Sequence, residues 1–508
     1  MDETIEIDGE YTTAEILIDD VEDITKEQIQ EIVNQPPFVN DVKVMPDAHP
    51  GEGSVIGFTM PVSDKIPPRT VGVDVGCGLF AGRLPGCTDI HDNDHRAILE
   101  DKIREYVPVG YSTHSDGIHM HNEFPYEECQ EKLDTFNKHS DFDHIDVDYD
   151  PDYYNDLISR IDVSFHKVSN SMGTLGGGNH FIEIADSDLD NYEERDSYYA
   201  IEPFWVVIHS GSRQFGYKVC EYWKQVATEE HDNRADRIRG ELEQHPDDYV
   251  KFDPESVSDK ELLDWMQGGM GEDFINYQAI PKLKREQVKD ELKSLIPQGK
   301  YDGSPYDWLE GENAKGYIAD MIFAQTYASV NRREMADNVL KAWYEAFFED
   351  MFVNPDEELP DELIGDELEF VETIESVHNY IDFEDQIIRK GATRAHEGEK
   401  AVVPYNMADG TIIVEGKGNP DWNYSVNHGA GRVDSRGWAG HQITQEEANE
   451  QIRESDVHAS VVPRDESPHA YKDPQMIEES MGPAADVVNR LDPLISIKAE
   501  TRYYDEEE

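Results

Sequence analysis

Cysteine is scarce: Cys77, Cys87, Cys129 and Cys220 are the only four in 508 residues, and no two stand in a CxxC spacing. That excludes a disulfide-stapled scaffold and points to a reduced compartment. Positive charge is scarce too, with 44 Lys and Arg against 110 Asp and Glu, a formal net charge of −66. Such a chain fails the usual basic-patch criterion for nucleic-acid binding. No run of ~20 apolar residues occurs, and the acidic start MDETIEIDGE has no apolar segment of a secretory leader. The expectation is a cytoplasmic protein without a membrane span.

The hydrophobic fraction, 38%, is low, yet 10% aromatics argues against wholesale disorder. Length permits a large core and about two to four domains. Because the acidic excess runs through the whole chain, self-repulsion opposes compaction wherever screening is weak. The screening length falls from about 8 Å at physiological salt to roughly 3 Å in molar salt. A cytoplasmic protein of a salt-accumulating, halophilic organism explains this composition better than acidic insertions in an ordinary cell.

Against that background VGVDVGCGL, Val71 to Leu79, stands out. Val71 and Val73 alternate as a short strand would, and Asp74, Gly76, Cys77 and Gly78 follow in a glycine-rich turn. A carboxylate and a thiol in one turn suit a metal ligand pair or a nucleophile; a buried packing cysteine is the plain alternative. Other histidines sit beside glycine turns and could complete a ligand set. GTLGGGNHFIEI delivers Asn179 and His180 just before a strand. FWVVIHSGSRQFG ends an apolar strand on His209, with Arg213 placed for a phosphate. VETIESVHNYIDF puts His378 in an alternating strand. GKGNPDWNYSVNHGAGRVDSR sets His428 in a glycine turn followed by Arg432 and Arg436, an arrangement suited to attack on phosphorus.

The rest reads more plainly. YTTAEILI, residues 11–18, is a strand; TKEQIQEIVNQPP is a helix with a Thr25/Gln28 capping box, stopped at Pro36. Met45 to Met60 reads as a loop whose Asp47 and His49 are ligands, orienters of ligands, or turn residues bonding their own backbone. Residues 91–160, including DFDHIDVDYDPDYYND, read as a polar, solvated face, and 217–310 as a helical elaboration. Within the latter, KLKREQVKDELK is an exposed helix with opposite-charge pairs. A helix of about 35 residues from Asn313 to Phe348 is a central buried element, and its Asn331, Arg332 and Arg333 could point into a cleft. DEELPDELIGDELEF, near 349–370, is an acidic connector. RKGATRAHEGEK, locally basic, suits an anion.

DVGCG, GTLGGGNHF, HSGSR, VHN, RKGATRA, SVNHGAGR and the terminal AYKD, in that order over nearly the full length, resemble the RtcB family of RNA ligases. The resemblance implies one mixed α/β (α+β) domain, residues 1–508, with a deep metal-lined cleft. It implies that Cys77 bridges two Mn(II) ions whose other ligands are Asp74, His180, His209 and His378. His428 would take GMP from GTP as a phosphoramidate and pass it to an RNA 3′-phosphate, itself released from a 2′,3′-cyclic phosphate. A 5′-hydroxyl RNA end would then seal the strand and release GMP. Asn179, Arg213, Arg432 and Arg436 would hold phosphates, Asn179 together with the nucleotide. Glu183, Tyr471 and Lys498 would contact the nucleotide, and archease is the partner the family suggests. On softness alone, one thiolate and three imidazoles favour Zn over Mn.

One stretch departs from the family. PYNMADGT, Pro404 to Thr411, stands where PGSMGTAS is usual, in the loop lining the guanylate pocket. Asn406 and Thr411 are its candidate nucleotide contacts, and Asp409 adds a negative charge. An altered nucleotide preference is therefore the expected divergence, and a dinuclear metal phosphoesterase that has lost nucleotide transfer is the rival reading.

Overall fold

Alternating and β-branched segments pair into two large sheets. The computed structural model describes residues 4–501 apart from 19–20, 86–89, 91, 188–203, 233, 244–250, 252–255, 268–275, 277, 289–302, 348–368 and 434–435. The first sheet has the order β1 (Ile5–Asp8), β2 (Thr13–Ile16), β3 (Val42–His49), β4 (Ile56–Pro61), β10 (Ile387–Lys390), β9 (Asn379–Asp382). Its β2–β3 pair is parallel and its other pairs antiparallel.

The second sheet is antiparallel throughout. It has the order β12 (Lys400–Pro404), β13 (Thr411–Gly416), β15 (Ala485–Ile497), β6 (Phe181–Ser187), β7 (Trp205–Ser210), β5 (Gly78–Arg83), β8 (Glu372–Val377). A small pair, β11 (Ala392–Arg394) with β14 (Ser425–Asn427), completes the pattern. The architecture is mixed α/β, as the resemblance implies.

The long helix Gly311–Phe347 is apolar on nearly all sides, which only a buried helix tolerates. Its first half, from Ala314 to Val330, packs into the core beside the six-stranded sheet; Met335 to Trp343 pack against Ile182, Val206 and Ile208 of the other. Asn331 and Arg332, expected in a cleft, lie between these halves and are fully buried, whereas Arg333 faces outward onto Glu128 at 2.8 Å.

Several other expectations are corrected. Residues 91–160 form helices Asn93–Tyr106, Tyr126–His139 and Pro151–Arg160 that bury Leu99, Phe136 and Leu157. The most acidic run supplies Tyr154, stacked on Phe323 at 5.8 Å, so aromatic burial worth about 2 kcal/mol per ring outweighs the surrounding carboxylates. Asp150 of the same run caps its helix by accepting from the Tyr153 amide. Thr25 forms no capping box: Glu22 occupies the N-cap, and Gln28 reaches across to the Gly51 carbonyl at 2.6 Å. Asp47 and His49 belong to strand β3. Residues 68–71 are helical, so the strand begins only at Gly78. Of the 217–310 elaboration, the described helices are Arg213–Glu230, which begins before it, Arg234–Glu243, Asp259–Gln267 and a helical turn at 285–288, within the described part of KLKREQVKDELK. The acidic connector, except for its last residues, lies outside the described residues.

RKGATRAHEGEK carries no free positive patch. Arg389 is buried on Asp382 and Asp385, Arg394 pairs with Glu384 and Glu399, and Lys400 with Glu372. Lys390 donates to the carbonyls of Glu52, Ser54 and Arg69. Every cation here is matched inside the protein, so structural pairing replaces the expected anion site.

Candidate active site

One end of the seven-stranded sheet gathers the candidate metal ligands by register. Phe181 pairs with His209, His209 with Leu79, and Gly78 with Val377. His180, His209, Cys77 and His378 therefore occupy successive strand ends of β6, β7, β5 and β8. His378 fills the one-residue break between β8 and β9, where the two sheets meet, and its amide donates to the Cys77 carbonyl at 2.9 Å. The turn before Cys77 needs Gly76, whose φ is +71° and whose missing Cβ leaves room for Gln325 and Ala328 of the long helix. Gly211 is bare for a different reason: a Cβ there would strike the Asp74 carboxylate.

Ligand atoms fall into two groups that share one sulfur, Asp74–Cys77–His180 and Cys77–His209–His378, each within 4.8 Å. Cys77 Sγ lies 3.3 Å from His209 Nε2 and 3.6 Å from His180 Nε2. His209 Nε2 in turn lies 3.3 Å from His378 Nε2. His180 Nδ1 donates to the Leu175 carbonyl at 2.9 Å, which turns Nε2 toward Asp74 Oδ2, 2.9 Å away.

Burial, then the surrounding positive charge, hold His209 and His378 well below the usual imidazole range, so both are neutral, with their Nε2 atoms turned to each other. Burial and the Asp74 charge push the Cys77 thiol up. For Asp74, burial raises the carboxyl, but the bonds and charge of His180, with Cys77 and Arg213, outweigh it and leave it below its ordinary value. A carboxylate, a buried thiol and three imidazoles whose ligand atoms converge within 4.8 Å in two groups fit divalent ions.

These groups open into a cleft of about 660 Å³ that also contains Asn179, Glu183, Asn406, His428, Arg432, Arg436, Tyr471 and Lys498. The His428 ring centroid is 4.8 Å from that of His378. Asp47 Oδ2 accepts from His428 Nδ1 at 2.7 Å, which fixes the proton there and frees Nε2 as a lone pair. Of the roles open to Asp47 in the sequence, orienting another side chain is the one it plays.

The candidate phosphate and nucleotide residues cluster on an unanticipated carboxylate. Glu466, buried, accepts from Arg432, from Arg436 at 2.6 Å, from Tyr471 at 2.7 Å and from Lys498 at 3.0 Å. Burial would raise it, but Lys498, Arg432 and Arg436 hold it far below the carboxylate range. Nothing in the local pattern RDESPHAYKD singles out Glu466; besides Tyr471 five residues on, its partners Arg432, Arg436 and Lys498 lie 30 or more positions away. Glu183 is different. Burial lifts its carboxyl to about 8 against the pull of the Thr411 hydroxyl, 3.0 Å away, and of Lys498.

Arg213 does not line the cleft. Its Nε donates to Thr174 and its Nη2 to the Gly110 carbonyl, behind the metal ligands. Asn406 lines the cleft, yet its side-chain oxygen accepts from the amides of Ala408 and Asp409, and its amide nitrogen donates to Asp409. Asp409 is exposed at the turn, and the Tyr405 hydroxyl is turned to Glu478 at 2.9 Å.

The family model described as tRNA-splicing ligase RtcB matches residues 28–303 and 305–499. The chain is 26% identical over 487 aligned residues to an RNA-splicing ligase RtcB1 of Escherichia coli, covering 94% of this chain and 95% of that one. It is 22% identical over 520 aligned residues to a tRNA-splicing ligase RtcB of Methanococcus maripaludis, covering 92% and 89%. A tRNA-splicing ligase RtcB of Nanoarchaeum equitans is 24% identical over 503, covering 89% and 86%.

Proposed function

The chain belongs to the RtcB family of tRNA-splicing ligases, and from that membership and the cleft we propose an RNA ligase that works through a guanylated His428. The observation that carries this reading is the Asp47–His428 hydrogen bond of 2.7 Å, in the same cleft as the Cys77 ligand groups and Glu183. It leaves one nucleophilic nitrogen facing the space where a nucleotide phosphate fits.

In the proposed reaction His428 Nε2 attacks the α-phosphorus of GTP and pyrophosphate departs. Asp47 holds the Nδ1 proton and stabilises the charge that grows on the ring. Arg432, Arg436 and Asn179 line the space for phosphate oxygens, and Tyr471 and Lys498 flank the nucleotide. Glu183 presents an acceptor to the two N–H donors of a guanine edge, which adenine lacks. GMP then passes to an RNA 3′-phosphate, derived from a 2′,3′-cyclic phosphate, and the 5′-hydroxyl of the second RNA displaces it. Asp74, Cys77, His180, His209 and His378 would hold two Mn(II) ions, with Zn as the substitute that donor softness favours. Bound there, a metal pair neutralises phosphate charge and stabilises attacking and leaving oxygens. An archease-type activator and a cytoplasmic location are part of the same proposal; no helix among the described residues is long and apolar enough to cross a membrane.

The test is incubation with labelled GTP and Mn(II). An acid-labile, alkali-stable adduct is expected, absent in His428→Ala; no adduct with any nucleotide would overturn the proposal. A dinuclear phosphoesterase would instead open cyclic phosphates without nucleotide and survive His428→Ala. Family membership favours the ligase over it; the Asp47–His428 pair serves either reaction, since hydrolases also use carboxylate-oriented imidazoles.

A further inference from the structure

The nucleotide chemistry leaves one wall of the cleft unused. Glu183 and Lys498 come from the seven-stranded sheet and the chain just after it, but Glu22, Ile24, His49, Pro50 and Ile56 come from β3, β4 and the segment before them. Among these five, His49 is the one nitrogen base. Its Nδ1 lies 2.8 Å from the Asp47 carbonyl oxygen, which can only accept, so Nδ1 carries the proton and Nε2 keeps a lone pair. Asp47 therefore sets two of the imidazoles that line the cleft, His428 through its carboxylate and His49 through its carbonyl.

We propose that His49 is the general base of the sealing step, receiving the proton of the attacking 5′-hydroxyl. This rests on the ligase reading above. O5′ forms a bond to the phosphorus of the guanylated 3′-end, and the bond from that phosphorus to the GMP oxygen breaks. GMP leaves with the electron pair, and the hydroxyl proton moves to His49 Nε2 and then to solvent. Three charged or titratable groups act on this ring, Asp47 on its own strand, His428 and Lys472, and Glu22 of the same cleft wall sits 3.9 Å from Lys472. Burial first, then His428 and Lys472, lower His49 to about 4 against the pull of Asp47, so the base is free when RNA arrives. The phosphates of a bound end would draw it back toward neutrality, where a general base works best.

The experiment separates the partial reactions. Single-turnover sealing of a preformed guanylated RNA 3′-end to a 5′-hydroxyl RNA is measured beside adduct formation from labelled GTP. In His49→Asn, whose amide can still donate to the Asp47 carbonyl, sealing is expected to fall about 100-fold, far more than adduct formation. Its rise with pH should also disappear. In His49→Ala, added imidazole should restore sealing. Equal losses in both reactions, or sealing within about threefold of the unaltered protein, overturn the proposal, because a general base contributes at least ~100-fold. Absence of the adduct in the unaltered protein overturns the ligase reading itself.

Discussion

Glu183 shows how much one buried side chain decides. Its carboxyl, moved by burial from an ordinary 4.5 to about 8, is neutral at pH 7 while the pocket is empty. A folded-state value above the unfolded one gives stability that is complete below about pH 4.5 and is lost as pH rises through 8. Unfolding free energy should therefore decline between those limits by on the order of a few kcal/mol, and Glu183→Gln should flatten the decline. Urea titrations at pH 5, 7 and 9 measure it; the same slope in both proteins would contradict the assigned shift. Of the candidate site residues, Asp74, Cys77, His180, His209 and His428 were legible as single letters beside glycine turns, and His378 as a histidine in an alternating strand. Glu466 was not, because a carboxylate acquires meaning only from the cations that surround it.

At the scale of elements, the long helix supports the ligand cluster from behind. Arg332 donates to the Gly76 carbonyl at 2.7 Å, the Ser210 carbonyl at 2.9 Å and Glu375 at 2.6 Å. Asn331 holds the Gly211 carbonyl at 3.0 Å. Arg332→Met would remove this donor from two carbonyls and leave Glu375 only the Ser329 hydroxyl, so a destabilisation of about 3–5 kcal/mol is expected. Metal affinity should fall about 10- to 100-fold as well; melting curves and isothermal titration with Mn(II) or Zn(II) report the two effects. The β12–β13 loop gives the opposite expectation. Asp409 is exposed and already engaged by Asn406, so Asp409→Ala should change the KM for GTP by less than about threefold, as screened surface charges do. A larger change would place that carboxylate at the nucleotide.

For the whole molecule, charge is the dominant variable. With a net charge of −66, the melting temperature should climb steadily as KCl rises from ~0.1 M to about 2 M, where the screening length falls below ~3 Å. Equal melting temperatures at both ends would remove salt adaptation as the reason for the composition. The arginines and lysine of the cleft meet buried carboxylates at Glu466 and Asp465. The cations of the cleft are thus nearly balanced, and under the proposed function RNA affinity would come from metals, a few arginines and stacking rather than from a broad basic surface.

By itself the sequence determined the local carriers of chemistry: glycine turns that only a few backbones can make, apolar runs ending on histidine, and a helix too apolar to lie on the surface. These are short-range signals, set by backbone sterics and by periodicity within one segment. What only the tertiary structure decided was pairing across distance. Asp47 orients His428 from a strand far away in the chain, His378 sits at the join of two sheets, and the basic stretch from Arg389 to Lys400 is neutralised by carboxylates brought to it. Hydrogen bonds and ion pairs act over about 3 Å of space whatever the separation along the chain, so no local pattern records them.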